Sequence, residues 1–183
     1  MQLDWTAPPR EPISIAAGPR TDLFVDPGGG APVLDAPMQL GATVGDFLLS
    51  ARVHAQLRAT FDAGALMLHA GARTWAKLAL ERSPQGEAMI VSVVTRGVSD
   101  DANGAVVAGD GTWLRVARIS GACALHASAD GERWDLVRHF ALEAPGPLAA
   151  GFLAQSPTGG GCTATFDDVR FAGRTLADLR DGS

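Results

Sequence analysis

The most specific chemical pattern in this sequence is a short stretch in which polar side chains alternate with small apolar ones. Trp75, Lys77 and Glu81 hold odd positions of the stretch 73–81, while positions 76, 78 and 80 are alanine or leucine. Because alternate side chains of a β-strand point to opposite faces, the even set should pack in a core and the odd set should share the other face. Ala79 leaves a space between Lys77 and Glu81. This composition is typical of a ligand-binding surface.

The odd face fits the chemistry of sugar recognition. A tryptophan ring stacks on the apolar face of a pyranose, while a lysine and a glutamate make oriented hydrogen bonds to hydroxyls. We therefore expect Trp75 to supply stacking, Lys77 a donor and Glu81 an acceptor. Asp62 is expected to contribute at the edge of the groove. The alternative is a solvated face with a Lys–Glu pair worth about 1 kcal/mol or less, but tryptophan is seldom left on such a face.

A second polar face is expected on the strand around residue 115. Trp113 and Arg115 share one face of this strand, opposite Leu114 and Val116. If this face lines the same groove, Arg115 offers a rigid fork of donors suited to a carboxylate or to vicinal hydroxyls. Alternatively, Arg115 forms an ion pair with Glu81, and the two residues only orient each other. The residue types leave both interpretations open.

Length and composition indicate one folded domain over residues 1–183. The chain has 46% hydrophobic and 19% charged residues, which is typical of folded rather than disordered proteins. Its formal net charge is −5 and its basic residues are scattered, so we expect no nucleic-acid partner. The apolar runs are too short to cross a bilayer, so no membrane partner is expected. The polar, proline-broken start lacks the pattern of a secretory signal.

Cysteine and histidine usage predicts neither a disulfide nor a metal centre. Cys123 and Cys162 each lie in a run of small residues and are expected to be buried thiols, which fits the reducing cytoplasm. The four histidines form no H-x-H or H-E-x-x-H pair, so no metal and no cofactor is expected. A loop calcium is an alternative, although turn residues are the simpler interpretation. The oxygens available for it belong to Asp100, Asp101, Asn103 and Asp110.

The pattern along the chain predicts an all-β sandwich. After residue 40, short apolar runs alternate with turn signals every 8–15 residues or so. The proline-rich residues 1–40 predict short edge strands or extended connections, and residues 175–180 could form a short helix. Turns are expected at Asp101–Gly104, Asp130–Gly131 and Pro145–Pro147. Strands are predicted at about 46–57, 64–70, 75–82, 88–95, 112–120, 123–128, 134–140, 149–155 and 163–171.

Several short motifs also occur in an order that resembles one family. They are Thr21-Asp-Leu-Phe24, Asp62-Ala-Gly-Ala-Leu-Met67, Trp75-Ala-Lys77 with Glu81, Val93–Asp100, Leu114-Arg115, Ser128-Ala-Asp-Gly131, Gln155-Ser-Pro157 and Phe166-Asp-Asp-Val169. The series resembles the DUF1349 family, which includes members described as regulators of enolase. The resemblance implies a concanavalin A-like jelly-roll of two curved antiparallel sheets. It further implies a groove on the concave sheet, of the kind that binds sugars in related folds.

Three positions depart from the family pattern. Phe24 stands where the resemblance implies a tryptophan, Ala63 where it implies a glutamine, and Asp101 where it implies a second tryptophan. These changes imply an altered ligand preference or a lost function.

Hydrolysis is the enzymatic alternative. Glu81, as general acid or base, could pair with Asp62 or Asp100 to give the two carboxyls of a glycosidase, roughly 5–10 Å apart. However, the two alternating glutamates of the established hydrolases on this fold are absent from the strand around Glu81. We therefore favour binding of a carbohydrate or related polar small molecule on the concave sheet. The alternatives are a glycosidase-like enzyme and a regulatory protein that acts through protein–protein contacts.

Overall fold

The computed structural model describes residues 2–143 and 146–183, and fourteen β-strands account for the regular structure of these residues. Burial alternates with period 2 in strands that bury one face, such as β1, whereas central strands such as β7 bury both faces and edge strand β9 is mostly exposed. The strands are β1 Ile13–Ala17, β2 Leu23–Phe24, β3 Val33–Leu34, β4 Met38–Ala42, β5 Phe47–Ala55, β6 Ala63–Gly71, β7 Thr74–Arg82, β8 Ala88–Arg96, β9 Val98–Val106, β10 Gly111–Ile119, β11 Ala122–Ser128, β12 Asp135–Phe140, β13 Ala149–Gln155 and β14 Cys162–Ala172.

Two six-stranded antiparallel sheets stack into a jelly-roll sandwich, as predicted. The first sheet has the order β1-β14-β5-β10-β11-β12 and the second has the order β4-β13-β6-β7-β8-β9. Strands β2 and β3 form a separate two-stranded hairpin. The chain passes from one sheet to the other in the connections β4–β5, β5–β6, β9–β10, β12–β13 and β13–β14, which is why strands distant in sequence, such as β14 and β5, are neighbours within a sheet.

The main core lies between the two sheets and contains the even-numbered residues of β7. Leu78 and Leu80 are 0% and 1% exposed and belong to the same apolar cluster as Leu114 of the first sheet. Near the middle of the cluster the rings of Phe152 and Phe166 lie 4.7 Å apart and join the two sheets. The predicted assignment of the even residues around position 75 to a core is therefore confirmed.

The outer face of the second sheet is covered by the segment that carries the β2–β3 hairpin. Leu23, Val25 and Ala36 of this segment are almost fully buried and pack in a separate cluster with Met67 and Trp75. The serine hydroxyl of β9 anchors the segment, since the backbone N–H of Val25 donates to Ser99 Oγ at 2.9 Å. This cover turns an open sheet face into an enclosed one.

The outer face of the first sheet is covered by residues after β14. Leu176 packs against Leu48, Ala117 and Ala124 in a third apolar cluster. The sandwich therefore carries an added layer on each side, one from near each end of the chain.

Most of the predicted elements are confirmed, and two differ. All nine predicted strands are present, and of the edge strands β1 lies within residues 1–40 and β4 begins there. The predicted turn at Asp101–Gly104 is wrong, because these residues lie in edge strand β9, whose mostly exposed residues carry little of the apolar alternation that marks a buried strand. No helix forms at 175–180, because Leu176 is drawn onto the sheet surface instead. The turn predicted at Pro145–Pro147 lies partly outside the described residues.

The Asp130–Gly131 signal marks a longer connection than a two-residue turn. Residues 129–134 connect β11 and β12, which pair in antiparallel orientation. Gly131 has a φ of 78°, and Asp130 Oδ1 accepts from the backbone N–H groups of Glu132 and Arg133, each at 2.8 Å. The aspartate and glycine therefore shape the loop as their chemistry predicts.

Candidate functional site

Lys77 is the one lysine among the 15 basic residues of the sequence, and its side chain is buried. It is 1% exposed, and its Nζ donates to Asp22 Oδ1 at 3.2 Å and to Gln155 Oε1 at 2.6 Å. A buried ammonium requires such partners, because an unpaired charge in the protein interior is strongly disfavoured. Three parts of the chain thus contribute to one set of hydrogen bonds. Strand β7 supplies the ammonium of Lys77, the segment before β2 supplies Asp22, and the end of β13 supplies Gln155.

Glu81 lies beside this ion pair and is held in a largely buried environment. It is 8% exposed, and Gln155 Nε2 donates to its Oε2 at a long 3.4 Å. Burial raises the pKa of Glu81 to about 7; the charge of Lys77 opposes this shift, and the carboxylates of Asp22 and Asp101 add to it. Near neutral pH the carboxyl is therefore present in both protonation states.

Strand register explains why these side chains converge. Ala63 pairs with both Gln155 and Glu81, so the two longer side chains meet across a strand position that carries only a methyl group. Two rows further along the same face, beyond the row of Ala79, Val93 pairs with both Lys77 and Asp101. The Gln155 amide then links Lys77 to Glu81 on the side of the sheet where Ala79 leaves room.

These polar groups line a cavity of about 180 Å³ on the outer face of the second sheet. Two phenylalanine rings border it, and Lys77 Nζ lies 6.0 Å from the centre of the Phe24 ring. Phe61 is 39% exposed and has a φ of 68°, a left-handed conformation that is rare for an aromatic residue. The complete lining is Asp22, Phe24, Phe61, Lys77, Glu81, Val91, Val93, Asp101 and Gln155.

A larger but shallower depression of about 560 Å³ lies along the N-terminal segment. It is open to solvent and bordered mainly by apolar side chains such as Trp5 and Phe171, with Asp4 as its one charged residue. Because charged groups do not converge there, we place the candidate site at the smaller cavity around Lys77, although the depression is larger.

The structure places Trp75 differently from the expectation. The residue shares the odd face with Lys77 and Glu81, as predicted, but it is 0% exposed beneath Leu23 and Val25 and does not line the cavity. Its indole Nε1 has no hydrogen-bond partner among the described residues. In this conformation Trp75 supports the floor of the site and offers no ring to a ligand. The rings at the cavity belong to phenylalanines.

Trp113 and Arg115 do not join the site. They lie on β10, in the first sheet, on the face that points away from the second sheet, whereas Lys77 and Glu81 lie on the opposite side of the sandwich. An ion pair between Arg115 and Glu81 is therefore excluded by topology. The alternation of side chains along a strand correctly predicted which residues share a face. It carries no information about which sheet the strand joins.

Asp62 and Asp100 are also engaged elsewhere. Asp62 is 0% exposed, and its Oδ2 accepts from the backbone N–H groups of Arg58 and Ala59 at 3.1 and 2.8 Å. Its Oδ1 accepts from the Ser156 hydroxyl at 2.7 Å, so Asp62 closes a turn rather than an edge of the cavity. Asp100 forms an ion pair with Arg138 at 2.9 Å.

Several cavity residues were missed when the chemistry was assigned from the sequence, although a signal for them existed. All but Phe61 lie in segments compared with the family pattern, Thr21-Asp-Leu-Phe24, Ser99-Asp-Asp101 and Gln155-Ser-Pro157, and Phe61 directly precedes the motif that begins at Asp62. The three positions that depart from the family pattern also lie here: Phe24 and Asp101 line the cavity, and Ala63 stands between Gln155 and Glu81 in the register. The missed residues are Asp22, Phe24, Phe61, Asp101 and Gln155.

For the remaining residues with chemically active side chains, the relevant requirements are those of a metal centre and of a reactive thiol. Within residues 2–143 and 146–183, no group of three or more His, Cys, Asp or Glu side chains is placed to hold a metal ion. Cys123 and Cys162 are buried free thiols, as predicted, and burial raises the pKa of each to about 11. The part of the chain that the structure describes contains no helix with the length and apolar character needed to cross a membrane.

Comparison with known structures places the fold among β-sandwich proteins. A crystal structure described as a functionally unknown protein from Saccharomyces cerevisiae superimposes with a TM-score of 0.82 at 26% identity, covering 90% of this chain and 89% of that one. A xylan beta-1,4-xylosidase from Bacillus halodurans superimposes with a TM-score of 0.68 at 12% identity. That match covers 86% of this chain but only 32% of the xylosidase, so it shows the fold alone.

Sequence comparison agrees with the structural one. The "Regulation of enolase protein 1" of Saccharomyces cerevisiae is 32% identical over 173 residues, which span 91% of this chain and 86% of the yeast protein. A family model described as "Protein of unknown function (DUF1349)" matches residues 3–173. The match spans the whole sandwich, from the segment before β1 to the end of β14, and the chain therefore belongs to the DUF1349 family.

Proposed function

We propose that the protein binds a small polyhydroxyl ligand, a monosaccharide or a compound of similar size, in the cavity around Lys77 and Glu81. The observation that carries the proposal is the convergence of a buried ammonium, a buried carboxyl and an amide on one cavity that is bordered by two phenylalanine rings. Apolar walls with a few convergent polar groups are the usual composition of a small-molecule site.

The size and charge of the cavity support this class of ligand. A volume of about 180 Å³ is below the range of roughly 300–1,000 Å³ that accommodates drug-sized molecules, so one sugar ring is a better fit. Lys77 is balanced by Asp22 at 3.2 Å, whereas Asp101 forms no ion pair within the described part of the chain. Acceptors therefore outnumber donors, which suits a ligand that presents hydroxyl donors.

In this proposal Phe24 and Phe61 provide the apolar contact that the sequence pattern alone predicts for Trp75. An exposed aromatic ring held in a strained backbone conformation is more typical of a ligand contact than of a structural residue. Phe61 meets both conditions, because it is 39% exposed with a φ of 68°. We expect its ring to close over the apolar face of the bound sugar.

Calorimetric titration with a panel of neutral monosaccharides and short oligosaccharides tests the proposal. We expect Phe61→Ala to weaken binding about fivefold, since loss of an aromatic contact removes on the order of 1 kcal/mol. Val106→Ala is the matched control, because Val106 is 57% exposed on the same sheet but does not line the cavity. If no sugar binds, or if Phe61→Ala binds as tightly as Val106→Ala, the proposal is wrong.

An enzymatic role is the second candidate, and the environment of Glu81 favours it. A carboxyl whose pKa is about 7 can act as a general acid or base at neutral pH, and two further carboxylates, Asp22 and Asp101, line the same cavity. These are not the partners expected from the sequence, Asp62 and Asp100. Glu81 thus shares the cavity with two carboxylates in addition to Lys77, and a glycosidase-like mechanism would use one of these carboxylates as its partner.

Glu81→Gln separates the two candidates, because it preserves the size of the side chain but cannot transfer a proton. For a binding protein we expect the variant to retain affinity within a few fold and to release no product from aryl glycosides, as the wild type also would not. For an enzyme the wild type must release the aryl group and Glu81→Gln must not. Equal release by both proteins would exclude Glu81 as the acid or base.

A further inference from the structure

A second cavity lies on the opposite side of the sandwich and is lined by arginines. It has a volume of about 200 Å³ and is formed on the outer face of the first sheet. It shares no residue with the cavity around Lys77. Its lining is Leu48, Ser50, Arg115, Gly131, Trp134, Arg170, Ala172 and Arg174.

The strand register places Arg115 and Arg170 on either side of the Ser50 hydroxyl. Ser50 of β5 pairs with Arg170 of β14 on one side and with Arg115 of β10 on the other. Directly paired residues of an antiparallel sheet have Cβ atoms about 5 Å apart, so the three side chains form one row of donors on the same face. Arg174, just after the end of β14, also lines this cavity.

The guanidinium of Arg115 is fixed by its neighbours, but only part of its hydrogen-bonding capacity is used. It is 5% exposed, its guanidinium lies 4.2 Å from the centre of the Trp134 ring, and its Nη2 donates to the carbonyl of Gly182 at 2.7 Å. Its Nε is buried and has no hydrogen-bond partner among the described residues. Burial, and after it the charge of Arg174, lower the pKa of Arg115 to about 10.

The charges around this cavity are not balanced. Arg170 is paired with Asp168, its Nη2 lying 2.7 Å from Oδ2, whereas neither Arg115 nor Arg174 forms an ion pair in residues 2–143 and 146–183. A buried cation with an unused donor beside a second cation is disfavoured unless an anion is present. Both residues would be stabilised by the same negatively charged group.

From this geometry we infer that the arginine-lined cavity is a binding site for the phosphate group of a small molecule. Arginine forks match the oxygens of phosphate, and a tetrahedral dianion accepts donors from several sides at once. Arg115 and Arg174 would neutralise its charge, Ser50 would donate its hydroxyl, and Trp134 would border the organic part of the ligand. A planar carboxylate has one charge and two oxygens and would satisfy fewer of these donors.

Titration of the full chain with inorganic phosphate tests the inference, with sodium chloride and acetate at matched ionic strength as references. We expect saturable binding of phosphate, a shift of the Arg115 Nε–H resonance in ¹H–¹⁵N spectra, and an affinity for acetate at least tenfold weaker. Arg174→Gln should weaken phosphate binding about fivefold to tenfold. Arg10→Gln removes the same charge from an exposed position outside the cavity and should leave binding unchanged.

Three outcomes would overturn the inference. The first is that phosphate moves no resonance beyond the change produced by chloride, and the second is that Arg174→Gln binds phosphate as tightly as Arg10→Gln. Equal affinities for acetate and phosphate would likewise contradict the assignment to phosphate. Because Arg174 is exposed, its substitution leaves the core intact, and the result does not depend on removing the buried Arg115.

Discussion

At the scale of single residues, the protein holds two buried cations in different ways. Lys77 is matched by Asp22 and by the oxygen of Gln155, so its charge is compensated inside the structure. Arg115 is stacked on Trp134 and, among the residues that the structure describes, has one carbonyl partner but no carboxylate partner. The contrast explains why we assign a neutral polyhydroxyl ligand to the first cavity and an anion to the second.

Glu81 should make stability depend on pH in a defined direction. Its pKa is raised from 4.5 to about 7 in the folded protein, so between these values the folded state keeps a proton that the unfolded state has released. Stability from this group is therefore present below pH 4.5 and is lost as the pH rises to 7. The loss should total roughly 3 kcal/mol, and it should be absent in Glu81→Gln.

Urea denaturation of wild type and Glu81→Gln at several pH values between 4.5 and 8 measures this difference. Glu132→Gln, at an exposed position in the β11–β12 loop, serves as the control and should follow the wild type. Parallel pH profiles for wild type and Glu81→Gln would show that burial does not raise the pKa of Glu81.

At the scale of elements, the segment that covers each sheet decides which side chains of that sheet can contact a ligand. The β2–β3 segment buries Trp75 and brings Asp22 and Phe24 to the cavity, so one connection both removes an aromatic ring from the site and supplies another. The edge strand β4 supports this arrangement, because it pairs with β13, the strand that ends in Gln155. A change at the β4–β13 contact should therefore destabilise β4 more than it destabilises the main core.

Gly151→Ala should separate β4 from β13. A Cβ at this position would collide with the backbone carbonyl of Gln39 on β4, which cannot move without breaking the strand pairing. We expect a loss of about 2–3 kcal/mol in the free energy of unfolding and faster hydrogen exchange in β4. Gly173→Ala is the control, since no atom lies within 4 Å of its added Cβ. Equal stability of the two variants would contradict the prediction.

At the scale of the whole molecule, the sandwich has one core and two separate outer faces. Residues of both sheets belong to the main apolar cluster, whereas the two candidate cavities lie on opposite sides of it. The interior can therefore provide stability for both sites, while each outer face can evolve its own ligand chemistry.

The shared core predicts that both sheets unfold together. Strands β7 and β10 lie inside the second and the first sheet, respectively, and both contribute residues to the main cluster. We expect their most protected amides to exchange with the same free energy and the same urea dependence. Edge strand β9, which is mostly exposed, should exchange earlier. Protection lost from β7 at a lower urea concentration than from β10 would show two independently unfolding units, against the single domain expected from the sequence.

The amino-acid sequence by itself determined the strands and the side of each strand on which a residue lies. Both depend on local alternation, and the nine predicted strands and the grouping of Trp75, Lys77 and Glu81 on one face are found in the structure. Edge strand β9 escaped prediction because few of its residues are buried, so little alternation marks it.

Only the tertiary structure decided which faces meet and which are covered. Lys77 finds its partners 55 and 78 positions away in the chain, and no local pattern encodes such separations. The same long-range packing buried Trp75 under the β2–β3 segment and placed Arg115 in the other sheet. Side-chain alternation is a property of one strand, whereas a binding site is assembled from several strands and the connections that cover them. The residue types near position 75 could therefore indicate a site, but the members of that site became visible only in the folded chain.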